Sequence, residues 1–252
     1  LLATVLPPFF QWAATKATLL GQSRAACGPE GACWAFVTAR WPAFLFGRYP
    51  ADERWRIVTG FLLFVAFVLP AVSERFPWRG WAVLGLVLVY PVIAAVLLVG
   101  GVFGLPRVDT TVWGGLTLNF VLAFVAVLGS LPLGILLALG RRSELPIVRW
   151  CAVGFIELWR GVPLLTVLFM GMVMLPLFLP DGVTVDSLVR AMVALTLFTS
   201  AYMAEIIRGG LQGIDKGQQE AAQSLGLGWW QMQGLIILPQ AQIGRASCRE
   251  RV

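Results

Sequence analysis

Apolar runs long enough to cross a bilayer recur along this chain, and short charged or proline-rich stretches separate them. A helix needs roughly 20 predominantly apolar residues to cross the hydrocarbon core. Inside that core every backbone polar group must be satisfied by the chain itself, which leaves only helices and closed barrels. These runs are continuous and do not alternate in polarity, so they read as helices. Complete spans are expected at residues 57–72, 80–101, 114–139, 162–180 and 187–207, and residues 1–20 read as the remainder of one more. The expected fold class is all-α, a polytopic transmembrane helical bundle.

Composition agrees that lipid is the solvent. Hydrophobic residues make up 58% and charged residues 13%, against about 25% charged in a soluble globular chain, and the mean hydropathy is +0.81. A net charge of +6 and a pI near 9.7 could indicate nucleic acid. The basic residues, however, are scattered through short loops between apolar runs, where membrane orientation explains them better. Nucleic acid is therefore not an expected partner, and the lipid bilayer is. The chain has no histidine, and its four cysteines stand at 27, 33, 151 and 248, too dispersed for a zinc site or a C-x-x-C pair. No metal is expected.

The loops set an orientation. Arg75 and Arg79 follow the run at 57–72, and Arg141, Arg142 and Arg149 follow the run at 114–139. The loop at 181–186 instead carries Asp181 and Asp186 and no basic residue. Basic loops belong in the cytoplasm, which puts the 209–242 loop there too and residues 21–56 outside. Arg24, Arg40, Arg48, Arg54 and Arg56 in that outer segment pull the other way, against Glu30, Asp52 and Glu53. Within it, Cys27 and Cys33 bracket Gly and Pro in CGPEGAC; an oxidising compartment would permit a disulfide there, and two unpaired thiols are the alternative. Trp34, Trp41, Trp55, Trp78 and Trp81 fall near span ends, where interfacial anchors sit.

One polar stretch, EAAQSLGLGWWQMQGLIILP from Glu220 to Pro239, stands beside these runs. Asp215 can cap a short helix beginning near Lys216, with Gln218 as the reciprocal member of a capping box. Gly226 or Gly228 can end it in a left-handed turn. Ala221 and Ala222 would leave one face nearly flat for a partner's approach, with Leu225 as an apolar anchor. The plain alternative is an ordinary helix–turn–helix between two spans, with alanines present for their helix propensity. The spacing E-A-A, three residues, Gly, nine residues, I-x-L-P resembles the coupling loop of permease subunits in bacterial binding-protein-dependent ABC importers. All seven defining positions are filled: Glu220, Ala221, Ala222, Gly226, Ile236, Leu238 and Pro239.

Two further words share a pattern, E-L-W-R-G from Glu157 and E-I-I-R-G from Glu205. Each puts a carboxylate and a guanidinium three apart on one helical face: Glu157 with Arg160, and Glu205 with Arg208. Ionisable groups near a membrane are costly unless they pair or face water. Gating pairs and simple i,i+3 ties at helix ends both fit. FIELWRGVPLLTVLF and AYMAEIIRGGLQGIDKGQQEAAQSLG are similar to segments of the polar amino-acid permeases, and with LTLNFVLAFVAVLGSLPLGILLALGRRS the resemblance covers roughly residues 110–241. GACWAFVTARWPAFLFGRYPADERWR is similar to the general L-amino acid permeases, M-type subunit, which carry extra spans ahead of the common core.

The resemblance implies a type I ABC importer permease fold, incomplete here. Residues 1–109 would hold the extra transmembrane helices with an outer loop at 21–56. Residues 110–241 would be the permease core, with its cytoplasmic coupling loop at 209–241. The chain opens at Leu1 with neither an initiator Met nor a basic flank, and reads as a fragment. Residues 242–252, QIGRASCRERV, are polar and arginine-rich with no apolar run where the family continues into a further span, and read as a non-native tail, which would leave Arg245, Cys248, Arg249 and Arg251 without function. The implied activity is ATP-driven uptake of amino acids by alternating access. A second permease subunit, a dimer of ATPase subunits and a periplasmic amino acid-binding protein would be the partners. The chain has no G-x-x-x-x-G-K-[ST] loop, and Lys16 and Lys216 are its only lysines. ATP and Mg would therefore sit on the ATPase, and this chain would itself be no enzyme. Rival readings are a permease for another small solute, a secondary transporter, and a membrane scaffold. The second of these needs intramembrane charges that the mid-span regions largely lack.

Overall fold

The computed structural model describes residues 2–19, 21, 25, 27–73, 75–180 and 182–240. Leu1, Arg24, Asp181 and the tail at 242–252, on which some expectations fell, lie outside the described residues. Regular structure among those described is helical, apart from one isolated bridge between Thr18 and Cys33. The chain divides into two compact units, Leu1–Val121 and Leu122–Val252.

The first unit opens with α1 (Leu2–Phe10), which a π-helical turn continues to Thr15. That is too short for a span, and the chain then folds back. Thr18 donates its N–H to Ala32 O at 3.0 Å, and Trp34 Nε1 donates to Ala13 O at 2.7 Å. Helix α1 with its π-helical turn lies within the expected partial span at 1–20 and ends at Thr15. Cys27 and Cys33 are joined as a disulfide with their Cα atoms 5.5 Å apart. The expected outer loop contains a helix, α2 (Trp34–Phe46). Two candidate spans follow. The first, Ala51–Val72, comprises a 3-10 turn and α3 (Arg54–Val72); the second, Arg79–Val99, comprises α4 (Arg79–Leu84), a π turn and α5 (Tyr90–Val99).

A buried arginine organises the ends of these two spans. Arg56 has a fully buried side chain; its Nε lies 2.7 Å from Glu53 Oε2, and its Nη1 donates to Pro106 O at 2.9 Å. Tyr49 donates its hydroxyl to Leu98 O at 2.9 Å. Burial pushes the Tyr49 hydroxyl pKa up, and neighbouring Arg56 opposes the rise. Gly100, at φ +69°, is the residue that lets the chain turn there. A Cβ on it would lie 2.2 Å from Pro106 O and 2.8 Å from Arg56 Nη1.

The longest helix, α6 (Gly115–Arg141), carries the unit boundary. The second unit continues with α7 (Pro146–Gly161) and α8 (Leu164–Phe169), the latter prolonged by a π turn and a 3-10 turn to Phe178. Val162 and Pro163 break this pair, and its halves are bent by 102°. The expected span at 162–180 is therefore one limb of a bent pair, because proline removes a backbone donor and disfavours helix in the residue before it. The candidate span α9 (Ser187–Gln212) begins where Asp186 accepts from Leu188 N–H at 2.7 Å. Arg190, one turn in, donates from Nη1 to Met172 O on the π turn. α9 approaches α6 along a seam of small residues. A Cβ on Gly129 would lie 2.7 Å from Thr196 Cγ2, and one on Gly134 would lie 2.7 Å from Met203 Cγ.

Candidate functional site

After α9 comes α10 (Lys216–Ser224), built as its ends dictate. Asp215 caps it by accepting from Gly217 N–H at 3.1 Å. Gln218 does not complete a capping box; its Oε1 accepts instead from Gln240 Nε2 at 3.3 Å. At the other end Gly226 takes φ +73°. Its N–H donates to Gln223 O at 2.9 Å, and Leu227 N–H donates to Ala222 O at 3.2 Å. Those two bonds are the Schellman pattern, and the left-handed residue at its centre favours glycine. Leu227 also packs against the core to which Ala222 belongs.

The two alanines of the motif part company. Ala222 is 1% exposed and lies in the core with Ala138, Leu139, Ile156, Ala204 and Leu211. Ala221 faces outward beside exposed Glu220, and Leu225 projects into the open. The expectation of one flat face made of both alanines is corrected: a helix rotates neighbouring side chains by about 100°, so a helix seated through one presents the other. Downstream, α11 (Trp229–Met232) and a π turn, Gln233–Ile237, return the chain to the same core. Ile236 and Leu238 pack against it, while Gly226 and Pro239 stay exposed. Met232, Leu211 and fully buried Ile237 complete it, although nothing in their spacing singled them out.

Beside this core lies a cluster of charges that the sequence pairs only in part. Glu205 and Arg208 form the expected i,i+3 pair, Arg208 Nε donating to Glu205 Oε2 at 2.8 Å. Glu157 and Arg160 do not pair with each other. Glu157 goes to Arg141 on α6, with 3.3 Å between Arg141 Nη1 and its Oε1. The same Nη1 donates to Glu205 Oε1 at 2.5 Å, and Arg160 Nη1 stands 4.0 Å from that oxygen. The Arg160 guanidinium also lies 5.8 Å from the centroid of the Tyr202 ring, within cation–π range. Glu205, 16% exposed, is the hub of three guanidiniums from three helices. Arg141 was missed because its partners are 16 and 64 residues away. Its place at the last turn of α6, where cations oppose the helix dipole, was the available signal.

The hub and this core are neighbours along α7 and α9. Glu157 follows Ile156, Glu205 follows Ala204, and Arg208 follows Ile207, all three of those apolar residues belonging to the core or packing on it. The helix turns that pack on α10 through this core are thus the ones that hold the charges. No group of three or more His, Cys, Asp or Glu that could hold a metal occurs among the described residues.

Known proteins resemble this arrangement in sequence. Residues 130–243 match the family described as binding-protein-dependent transport system inner membrane component. The inner membrane amino-acid ABC transporter permease protein YhdY of Escherichia coli strain K12 is 52% identical over 94% of this chain and 65% of its own length. The glutamate/glutamine/aspartate/asparagine transport system permease protein BztC of Rhodobacter capsulatus is 40% identical over 85% of this chain and 62% of its own. The chain thus spans somewhat under two thirds of these relatives. A crystal structure of an amino acid ABC transporter with histidines is 37% identical, covering 49% of this chain and 56% of that one with a TM-score of 0.41.

Proposed function

We propose, from the match of residues 130–243 to the family of binding-protein-dependent transport system inner membrane components, that the chain is a permease subunit of that family moving amino acids inward across the bacterial inner membrane at the expense of ATP. In this reading residues 110–241 are the permease core, residues 1–109 are additional membrane helices, and the segment 209–241 is the coupling loop. A dimer of ATPase subunits binds that loop and holds ATP and Mg. A second permease subunit completes the pathway, and a periplasmic binding protein delivers the amino acid.

One observation carries the reading: α10 offers Glu220 and Ala221 outward while Ala222, on its other face, is part of the core that the ends of α6, α7 and α9 share. A helix so seated transmits force, because a close-packed core shifts as a body and does not deform continuously. Glu220 and Ala221 then meet the ATPase. The seven-position loop, with Ile236, Leu238 and Pro239 closing it, converts ATPase closure into displacement of the helix ends. There the hub of Glu205 with Arg141, Arg160 and Arg208, together with Glu157, is the gate that must exchange partners. The amino acid class is supported by the two relatives, YhdY and BztC, both named as amino acid permeases.

The test is Glu220→Lys in the assembled complex reconstituted into vesicles. ATP hydrolysis is expected to continue while uptake of labelled glutamate and glutamine falls by at least tenfold. Uptake at the unsubstituted rate would remove the coupling assignment.

A further inference from the structure

Helix α7 has three faces, and the buried side and the charge hub account for two. Ile156 belongs to the core that includes Ala222, and Ala152 is buried one turn earlier beside Gly140 of α6. Arg149, Glu157 and Arg160 fall together on a polar face. The third consists of Ile147, Trp150, Cys151, Gly154 and Leu158, the i, i+3, i+4, i+7 and i+11 spacing of one continuous stripe. It is apolar and open along its length: Ile147 and Trp150 are each 78% exposed, Leu158 is 63% exposed, Cys151 is exposed, and nothing lies within 4 Å of a Cβ built on Gly154.

Geometry and charge name what covers it. The 102° bend at Val162–Pro163 means that the two limbs cannot both run along the membrane normal. The limb after the bend is apolar and free of charge from Leu164 to Phe178. The limb before it is framed by charge, Arg141, Arg142, Arg149 and Arg160 against Glu144 and Glu157. Arg149 donates from Nε and Nη2 to Ser143 O at 2.9 and 2.7 Å, which folds the approach to the helix into a compact basic corner beside exposed Arg142. An amphipathic helix with arginines on its polar side and a tryptophan on its apolar side is the form that lies in a membrane surface. Basic residues at the cytoplasmic leaflet meet anionic headgroups.

We propose that α7 lies along the cytoplasmic surface of the bilayer, with the Ile147–Leu158 stripe sunk into the acyl boundary and Arg142 and Arg149 on anionic lipid headgroups. The inference does not depend on what the chain transports. The same rigid helix carries Glu157 and Arg160, so the lipid contact and the charge hub share one element.

Cys151 sits on the stripe and serves as the probe. In the full chain carrying Cys248→Ser, a nitroxide label on Cys151 is read after reconstitution into phosphatidylcholine vesicles and into phosphatidylcholine–phosphatidylglycerol vesicles. The label is expected to collide several-fold more with oxygen than with a water-soluble nickel chelate, and a label at Glu144→Cys to show the reverse. The oxygen preference at residue 151 should rise with phosphatidylglycerol, and Arg142→Gln should abolish that rise. A label that favours the nickel chelate overturns the proposal. So does an oxygen preference identical in the two lipid mixtures, or spin–spin broadening showing a second copy seated on the stripe.

Discussion

Each unit of this chain is organised around a sheltered charge, and the two shelter it to different degrees. In the first, Arg56 is completely buried and its partners are fixed: the Glu53 carboxylate and the carbonyl of Pro106, with Gly100 leaving room for both. In the second, Glu205 is part-buried and shared among Arg141, Arg160 and Arg208, and Arg141 is in turn shared with Glu157. A sealed charge with a single set of partners staples a fold, because releasing it means burying it alone. A wet cluster with more cations than anions can trade partners at little cost, since water covers whichever group is momentarily released. The first is architecture, and the second is suited to motion.

Substitutions should separate the two. Arg56→Ala removes the staple and strands Glu53, so a loss of about 3–5 kcal/mol is expected, read as a large fall in the thermal midpoint of the detergent-solubilised chain. Gly100→Ala attacks the same knot through the backbone. The new methyl has a left-handed φ and no space, and a cost of roughly 2–3 kcal/mol is expected by the same assay. Glu205→Gln should cost less, about 1–3 kcal/mol, because Arg141 keeps Glu157; if the proposed importer reading holds, its larger signature in the assembled complex is ATP hydrolysis that no longer depends on the binding protein. Glu157→Gln is the smallest change. Its side chain is more than half exposed, so about 0–1 kcal/mol is expected. A midpoint for Glu205→Gln as low as that of Arg56→Ala would erase the contrast and make the hub another staple.

What the sequence revealed and what it concealed divide along the range of the interactions. α3, the α4–α5 pair, α6 and α9 are legible because hydrophobic length is a local property, bounded on each side by charge or proline. α10 is legible for the same reason, since Asp215 and Gly226 specify its ends within a few residues. The pairing of Arg141 with Glu205 is not local, and i,i+3 spacing favoured a Glu157–Arg160 pair that does not form. Ala222 facing inward was hidden because its burial depends on Leu139, Ile156 and Leu211, which come from three other helices. α7 was read as part of a basic loop, because a helix with apolar residues on two separate faces has neither the unbroken run of a span nor the single stripe of a soluble helix. Arg56 looked like one more loop charge, its burial set by the segment around Pro106.

The glycines of the α6–α9 seam have a mechanical consequence. Side chains that interlock act as gear teeth and oblige two helices to turn together. At Gly129 and Gly134 one side of the contact has no tooth, and Thr196 and Met203 rest against bare backbone. Such a contact is a bearing: it keeps two rods in touch while letting one rock or slide on the other. At about 1.5 Å per residue, the 26 residues of α9 make a rod roughly 40 Å long, so rocking it by about 3° carries one end roughly 2 Å relative to the other.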